Sequence, residues 1–183
     1  MAFPSVKLTT LASLAHRLPA ACWLAQRLEQ APERWVTLPV WWVEGDLDMA
    51  GLDLVTTLSS DGQWLPPLPS TALDGSAPHP GGALLWVDGH LRLQGALTGG
   101  WHTPASAAEP SSPAVHALVM GDAQVHCALL RQGQLHVQGN LSGTHIAVGR
   151  WRARWPYGAG PIHCAGGAVH ARVCTAVEPT ARL

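Results

Sequence analysis

Residues 135–141 read L-H-V-Q-G-N-L, and this stretch decides the predicted fold. Leu135, Val137 and Leu141 occupy alternate positions and Gly139 takes the remaining place, so an extended chain turns all four toward one face. A strand with one apolar face must bury that face against another element. The stretch therefore predicts a β-strand that is buried on one side.

The same phrase recurs along the chain with a glycine at a fixed place. W-W-V-E-G-D-L spans residues 41–47, L-W-V-D-G-H-L spans residues 85–91, and two looser copies follow later in the chain. Each copy can bury its apolar face only by stacking on the next copy. The repeat predicts an all-β fold, a β-solenoid, with these structural glycines: Gly45, Gly89, Gly121, Gly139 and Gly166.

Four of the phrases, V-E-G-D-L, V-D-G-H-L, V-M-G-D-A and V-Q-G-N-L, carry a resemblance to a known family. They resemble the V-x-G-D-L rungs of the bactofilin-like, polymer-forming β-solenoid proteins of bacteria. The resemblance covers residues 41–174 and implies a right-handed β-helix without a cofactor. For true bactofilins it also implies a filament built by end-to-end stacking. The insertions and the helical start of this chain depart from that pattern and disfavour a long filament.

The chain divides into a helical start, a strand-rich body and a short tail. Leucine spacing predicts two short helices before Pro32. Residues 1–34 are expected to form a helical cap over the open end of the first rung, because an uncovered edge invites unwanted pairing. Residues 35–178 are expected to form the β-solenoid as one folding unit with the cap, and residues 179–183 a tail.

Three insertions interrupt the repeat. Residues 59–82 and 99–114 are rich in proline and glycine, which exclude regular ladders, and residues 150–158 read R-W-R-A-R-W-P-Y-G. Loops that extend from a rigid scaffold are where binding surfaces usually lie. Neutral insertions accumulate in the same kind of loop, so the sequence leaves both interpretations open for residues 59–82 and 99–114.

The third insertion is the strongest candidate for a partner-binding surface. Arginine, tryptophan and tyrosine are enriched in the hot spots of protein interfaces. The same residue types could stack single-stranded nucleic acid, or the tryptophans could fill the core while the arginines stay solvated. A pI of about 6.8 makes nucleic acid the weaker interpretation. The predicted partner-binding residues are Arg150, Trp151, Arg152, Arg154, Trp155 and Tyr157, with Trp101 and His102 as a second patch.

The sequence predicts no catalytic residue, no metal site and no cofactor. Cys164, His170 and Cys174 lie at even intervals, but they lack the closely spaced pairs that zinc sites use. The four cysteines show no C-x-x-C spacing and predict free thiols rather than disulfides. The acidic residues near the first copy of the phrase, Glu44, Asp46, Asp48 and Asp53, are expected to form a solvated outer face.

Composition and charge suit a folded protein outside the membrane. The chain of 183 residues is 47% hydrophobic and 13% charged, and no apolar run approaches the ~20 residues that a membrane span needs. The N-terminus lacks the pattern of a secretory signal, so a cytoplasmic location is expected. Residues 1–89 carry a net charge of −5 and residues 90–183 a net charge of +4. Such an asymmetry can steer a charged partner or favour head-to-tail association.

These observations favour a non-enzymatic protein that binds a protein partner through its loops, as an immunity or adaptor factor. The alternative is self-association into a bactofilin-like cytoskeletal scaffold. A third class, a carbohydrate-active β-helix enzyme, is disfavoured because such enzymes use clustered carboxylates and few acidic residues follow Asp88.

Overall fold

A computed structural model gives the architecture of the chain, which contains helices and two β-sheets. The structure describes residues 5–20, 22–54, 58–59, 82–99, 115–130, 134–147, 162–164 and 169–175. The helices are α1 (Leu11–Leu14), α2 (Trp23–Gln30) and α3 (Pro32–Trp35), with a 3-10 turn at Ala15–Arg17. The strands are β1 (Val6–Thr10), β2 (Pro39–Val43), β3 (Leu47–Met49), β4 (Leu52–Asp53), β5 (Leu58–Ser59), β6 (Ala83–Val87), β7 (Leu91–Gly99), β8 (Val115–Val119), β9 (Ala123–Leu130), β10 (Leu135–Val137), β11 (Leu141–Ala147), β12 (Ile162–Cys164) and β13 (Val169–Thr175).

The strands form two sheets, and from β6 onward successive strands alternate between them. The first sheet has the order β1-β2-β6-β8-β10-β12, and all its pairs are parallel except β1 with β2. The second sheet has the order β13-β11-β9-β7-β4-β5, with β3 also paired to β7. Its pairs are parallel except β4 with β5.

The copies of the repeated phrase lie next to one another in register in the first sheet. Val87 pairs with Val43 on one side and with Val119 on the other. Val137 continues the row beside Val119. All four side chains are fully buried. Together with the inward residues of the second sheet they form one apolar core between the two sheets.

A second apolar core lies on the other face of the first sheet, beneath the helices. Leu84, Trp86 and Leu118 are at most 1% exposed and belong to this second cluster. Their partners in the N-terminal segment include Leu11, Leu14, Cys22, Leu24 and Trp35. The first sheet is therefore covered on both faces, which is the usual situation of a largely parallel sheet.

The prediction of an all-β, right-handed β-solenoid or β-helix is wrong. The chain has mixed α and β content, with helices packed on one face of the first of two largely parallel sheets. The repeated phrase reports only the inward face of each strand. Strand β6, A-L-L-W-V, is buried at all five positions, and such a continuous apolar run indicates a strand with a covering layer on each side.

The helical segment covers a face of the first sheet, whereas strand β1 occupies its edge. Backbone bonds from the amides of Leu11 and Ala12 to the carbonyls of Leu38 and Val36 tie α1 to the chain before β2, at 2.9 and 3.0 Å. The indole of Trp23 packs edge-on to Trp35, with ring centroids 5.8 Å apart. These contacts hold the helices as a fixed layer.

A charged contact joins the helical layer to the sheets at the surface. The Arg17 guanidinium donates to both carboxylate oxygens of Asp88 at 2.7 Å. Arg17 also lies over the Trp42 ring, 5.8 Å from its centroid, and Lys7 lies 5.2 Å from the same centroid. The outward Trp42 is thus flanked by two cations at the border of the helical layer.

Candidate functional site

The connections between the two sheets define two sides of the molecule, which we call the turn side and the loop side. On the turn side, the chain passes from the first sheet to the second through three residues in each of the four passages between β2 and β11. These turns are residues 44–46, 88–90, 120–122 and 138–140. On the loop side, the chain returns from the second sheet to the first through the longer connections.

Glycines at the centre of each turn allow the turns to stack closely. The amide of Gly121 donates to the carbonyl of Gly89 at 2.8 Å, and the amide of Gly139 donates to Gly121 at 3.0 Å. A Cβ atom on Gly121 would lie 2.8 Å from the Gly89 oxygen, too close for any side chain. Gly45 has a positive φ of 91°, which favours glycine. Gly166, the fifth predicted structural glycine, lies outside the described residues.

The residue after each glycine forms a hydrogen-bonded row along the turn side. We call this row the polar ladder, and its members are Asp46, His90, Asp122 and Asn140. The amide of His90 donates to Asp46 Oδ1 at 2.8 Å, and the amide of Asp122 donates to His90 Nδ1 at 2.9 Å. The amide and the side-chain Nδ2 of Asn140 both donate to Asp122 Oδ1, at 2.8 and 3.1 Å. The side chains of Asp46, His90 and Asp122 therefore each hold the backbone of the next turn.

The ladder fixes the hydrogen-bonding role of the His90 ring. Because Nδ1 accepts the amide proton of Asp122, that nitrogen carries no proton in this arrangement, and the neutral ring carries its proton on Nε2. Asp122 Oδ2 lies 3.8 Å from the same Nδ1. The His90 ring thus acts as an acceptor for the backbone, in the place that the carboxylate oxygens of Asp46 and Asp122 take elsewhere in the ladder.

Hydrogen bonds from the backbone stabilise the charged form of both ladder carboxylates. The His90 amide, and after it the Arg92 guanidinium, lower the pKa of Asp46. The Asn140 amide is the main cause that lowers the pKa of Asp122. Arg92 lies 3.1 Å from Asp46 Oδ2 and 3.6 Å from Asp48 Oδ2. All these groups are solvent-exposed, so the ion pairs add little stability.

A polar cleft of about 330 Å³ lies beside the ladder. Its lining combines ladder residues with outward residues of the second sheet: His90, Asp122, Asn140, Arg92, Gln124 and Ser142. Most of the ladder groups in this lining already hold the backbone, as described above. In the parts of the chain that the structure describes, no three His, Cys, Asp or Glu side chains gather where they could hold a metal ion.

The long connections of the loop side leave and re-enter the sheets at neighbouring strands. Gly99, where β7 ends, pairs with Leu130 at the end of β9. Ile146, next to the end of β11, pairs with Ala128 of β9. The starts of β6 and β8 are likewise paired, Ala83 with Val115. The roots of these connections therefore lie side by side at one border of the sheets.

The predicted partner-binding residues belong to two connections of the loop side and lie outside the described residues. Trp101 and His102 belong to the connection from β7 to β8. The second group belongs to the connection from β11 to β12: Arg150, Trp151, Arg152, Arg154, Trp155 and Tyr157. Strands β7 and β11 flank β9, so the two exit points are two strand spacings apart, about 10 Å.

The polar ladder was missed as a unit by the sequence analysis. Asp46 was assigned to a solvated outer face, and His90, Asp122 and Asn140 received no role. The signal was present, because each ladder residue follows the fixed glycine of its phrase. Asp, His or Asn at the same place in each of the four turns indicates short polar side chains that can hydrogen-bond to the backbone nearby.

The cysteines with described side chains are free thiols. Cys22 is buried in the second core, and this burial raises its pKa. Burial also raises the pKa of Cys127. A thiol with a raised pKa is a poor nucleophile at neutral pH, so neither cysteine is suited to covalent chemistry.

Comparison with known proteins gives no relative. No protein-family model, curated protein or solved structure matches this chain. In the described part of the chain, no helix has the length and apolar character that crossing a membrane requires. Function is therefore inferred from the contrast between the turn side and the loop side.

Proposed function

We propose that this chain is a non-enzymatic, cytoplasmic protein that binds another protein through its loop side, as an immunity or adaptor factor. One observation carries the proposal: the roots of the long connections lie together on one side of the two sheets. Loops that share a border of a rigid scaffold can form one composite binding surface. The two strands that lead to the predicted patches, β7 and β11, end about 10 Å apart, within the span of a standard protein interface.

The composition of the loops supports a protein partner. The connection from β11 to β12 contains three arginines, two tryptophans and the one tyrosine of the chain. Arginine, tryptophan and tyrosine contribute most of the binding energy at protein interfaces. Arginines in such a patch pair best with carboxylates, so the expected partner presents an acidic surface.

The turn side differs from the loop side in a way that supports binding through the loop side. The side chains of the polar ladder accept hydrogen bonds from the next turn and thereby hold the strands in register. Groups used in this way favour a structural role for the turn side. A scaffold held firmly on one side is suited to present variable loops on the other.

The proposal is tested by comparing partner capture by paired variants. Arg152→Ala with Trp155→Ala removes the centre of the third insertion, and Trp101→Ala with His102→Ala removes the second patch. We expect the first pair to abolish capture in a pull-down from the native host and the second pair to weaken it. Both pairs should keep the circular dichroism spectrum and the unfolding midpoint of the unmodified protein.

A matched control changes two polar residues away from the loop side. Gln124→Ala with Ser142→Ala alters the cleft beside the polar ladder, where both side chains are at least partly exposed. Capture should be unchanged in this control. If the control lost the partner while the Arg152 and Trp155 pair retained it, binding would belong to the cleft and the proposal would be wrong.

A further inference from the structure

The two ends of the sheets differ in strand direction. At one end, which we call the N-terminal end, the outermost strands are β1 in the first sheet and β5 and the three-residue β3 in the second. Strands β1 and β5 run antiparallel to their neighbours, and β3 runs parallel to β7. At the other end, the C-terminal end, the outermost strands are β12 and β13, and both run parallel to their neighbours.

The N-terminal end is poorly suited to pairing with another chain. Strand β5 has only two residues, and the edge strand β1 carries Lys7, whose Nζ lies 2.8 Å from Glu44. Short edge strands and edge lysines are the usual means by which proteins prevent edge-to-edge association. This end therefore offers few backbone groups to a partner.

The C-terminal end has a longer edge whose amides can be assigned from the register. In the second sheet, three backbone amides donate to backbone carbonyls at 2.8 to 2.9 Å. The amide of Leu47 donates to the carbonyl of His90, that of Leu91 to the carbonyl of Asp122, and that of Ala123 to the carbonyl of Asn140. Each of these amides points toward the neighbouring strand of the second sheet on the side of the C-terminal end. Val169 occupies the equivalent position in β13, in register with Leu141.

Successive backbone amides of a strand point to opposite sides, so every second amide of β13, beginning with Val169, points away from β11. The outward amides are those of Val169, Ala171, Val173 and Thr175. Within the described residues, β13 pairs with β11 alone. An edge strand of seven residues with β-branched residues and outward amides is a template for a further strand.

We infer that two copies of this chain associate through their C-terminal ends, with β13 of one copy antiparallel to β13 of the other. This pairing can engage up to seven residues of each copy, whereas β13 against β3 or β5 of another copy engages only three or two. A contact between identical strands is two-fold symmetric and closes on itself. Because the described strands of the second sheet at the N-terminal end are short and β1 carries an edge lysine, we expect association to stop at two copies instead of forming a filament.

The inference is tested by measuring mass against concentration with light scattering after size exclusion. The expected result is a reversible change from the 19.3 kDa chain to twice that mass, with no larger species. Val173→Pro removes one outward amide from each copy, and proline is tolerated at such edge positions. Loss of two hydrogen bonds per pair should weaken association at least about tenfold.

A variant at the opposite end is the control. Leu8→Lys changes the one large hydrophobic side chain that is exposed in the described part of the chain, on edge strand β1. It should leave association unchanged, and both variants should keep the circular dichroism spectrum of the unmodified chain. A monomer at every concentration, growth beyond two copies, or association lost with Leu8→Lys but kept with Val173→Pro would each overturn the inference.

Discussion

The turn side and the loop side connect the same strands in opposite ways. Each of the four described turns uses three residues with a central glycine, and the side chains of Asp46, His90 and Asp122 bind the backbone of the neighbouring turn. The loop side uses connections of unequal length, such as residues 100–114 and 148–161. In the described part of the chain, the turns are therefore restrained by contacts between neighbouring copies of the phrase, and the loop side carries the longer connections.

The largest effect on stability should come from adding a methyl group to one of the stacked turns. In Gly121→Ala the new Cβ would meet the Gly89 carbonyl, a backbone group that cannot move aside. We expect a loss of about 1–3 kcal/mol in the free energy of unfolding, measured by urea denaturation. Gly45→Ala separates crowding from backbone strain, since Gly45 has open space but a positive φ, and should cost about 1–2 kcal/mol. Unchanged stability in Gly121→Ala would show that the turns are not restrained by close stacking.

A smaller effect should follow from removing the His90 acceptor. His90→Ala leaves the Asp122 amide without its partner in the polar ladder, and we expect a loss of about 0.5–1 kcal/mol. His90→Asn should restore most of this loss, because Asp46 and Asp122 show that a short side chain with an oxygen reaches the next amide. Equal stability of the two variants would mean that the ring contributes by packing instead.

The ladder carboxylates predict a specific dependence of stability on pH. Because the folded protein holds the pKa of Asp122 below its ordinary value, the charged carboxylate stabilises the fold above about pH 4. This contribution fades as the pH falls through the folded pKa. The stability difference between the unmodified chain and Asp122→Ala should therefore be present at pH 7 and shrink in acid. A difference that grew in acid would contradict the assignment of Asp122 as a charged acceptor.

The smallest effect on stability should come from the loop side. Replacing residues 103–112 with a glycine and serine linker of equal length should change the free energy of unfolding by less than about 0.5 kcal/mol. Urea denaturation of this variant and of Gly121→Ala under the same conditions compares the stability contributions of the two sides directly. A loss of unfolding free energy as large as that of Gly121→Ala would show that the loop side contributes as much to stability as the turn side.

Much of the inner core could be predicted from the sequence, whereas the covering layers could not. Alternation places Val43, Val87 and Val137 on one face, and all three are fully buried. Trp86 belongs to the same phrase but faces the helices, whose residues lie more than fifty positions earlier in the chain. A local pattern states that a side chain is apolar, but it does not identify the distant segment that covers it.

Part of the candidate site could likewise be predicted from the sequence, and part could not. The glycines at the turns follow from their fixed place in the phrase, since a repeated tight turn needs a residue without a side chain. The polar ladder depends on contacts between copies, such as His90 with Asp122, which appear only when the copies are aligned. Arg152 and Trp155 were selected by composition and lie outside the described residues, so their role stays a prediction.

The helical layer has a consequence for how the chain is synthesised. The helices come from the first 35 residues, yet the face they cover includes Leu84 and Leu118 of β6 and β8. On the ribosome, the apolar side of the helices emerges well before its partners and stays uncovered until translation has passed residue 118. Such dependence on distant contacts slows folding and leaves intermediates with exposed apolar surface that are prone to aggregation. A nascent chain stalled near residue 60 should therefore recruit holding chaperones that a completed chain releases.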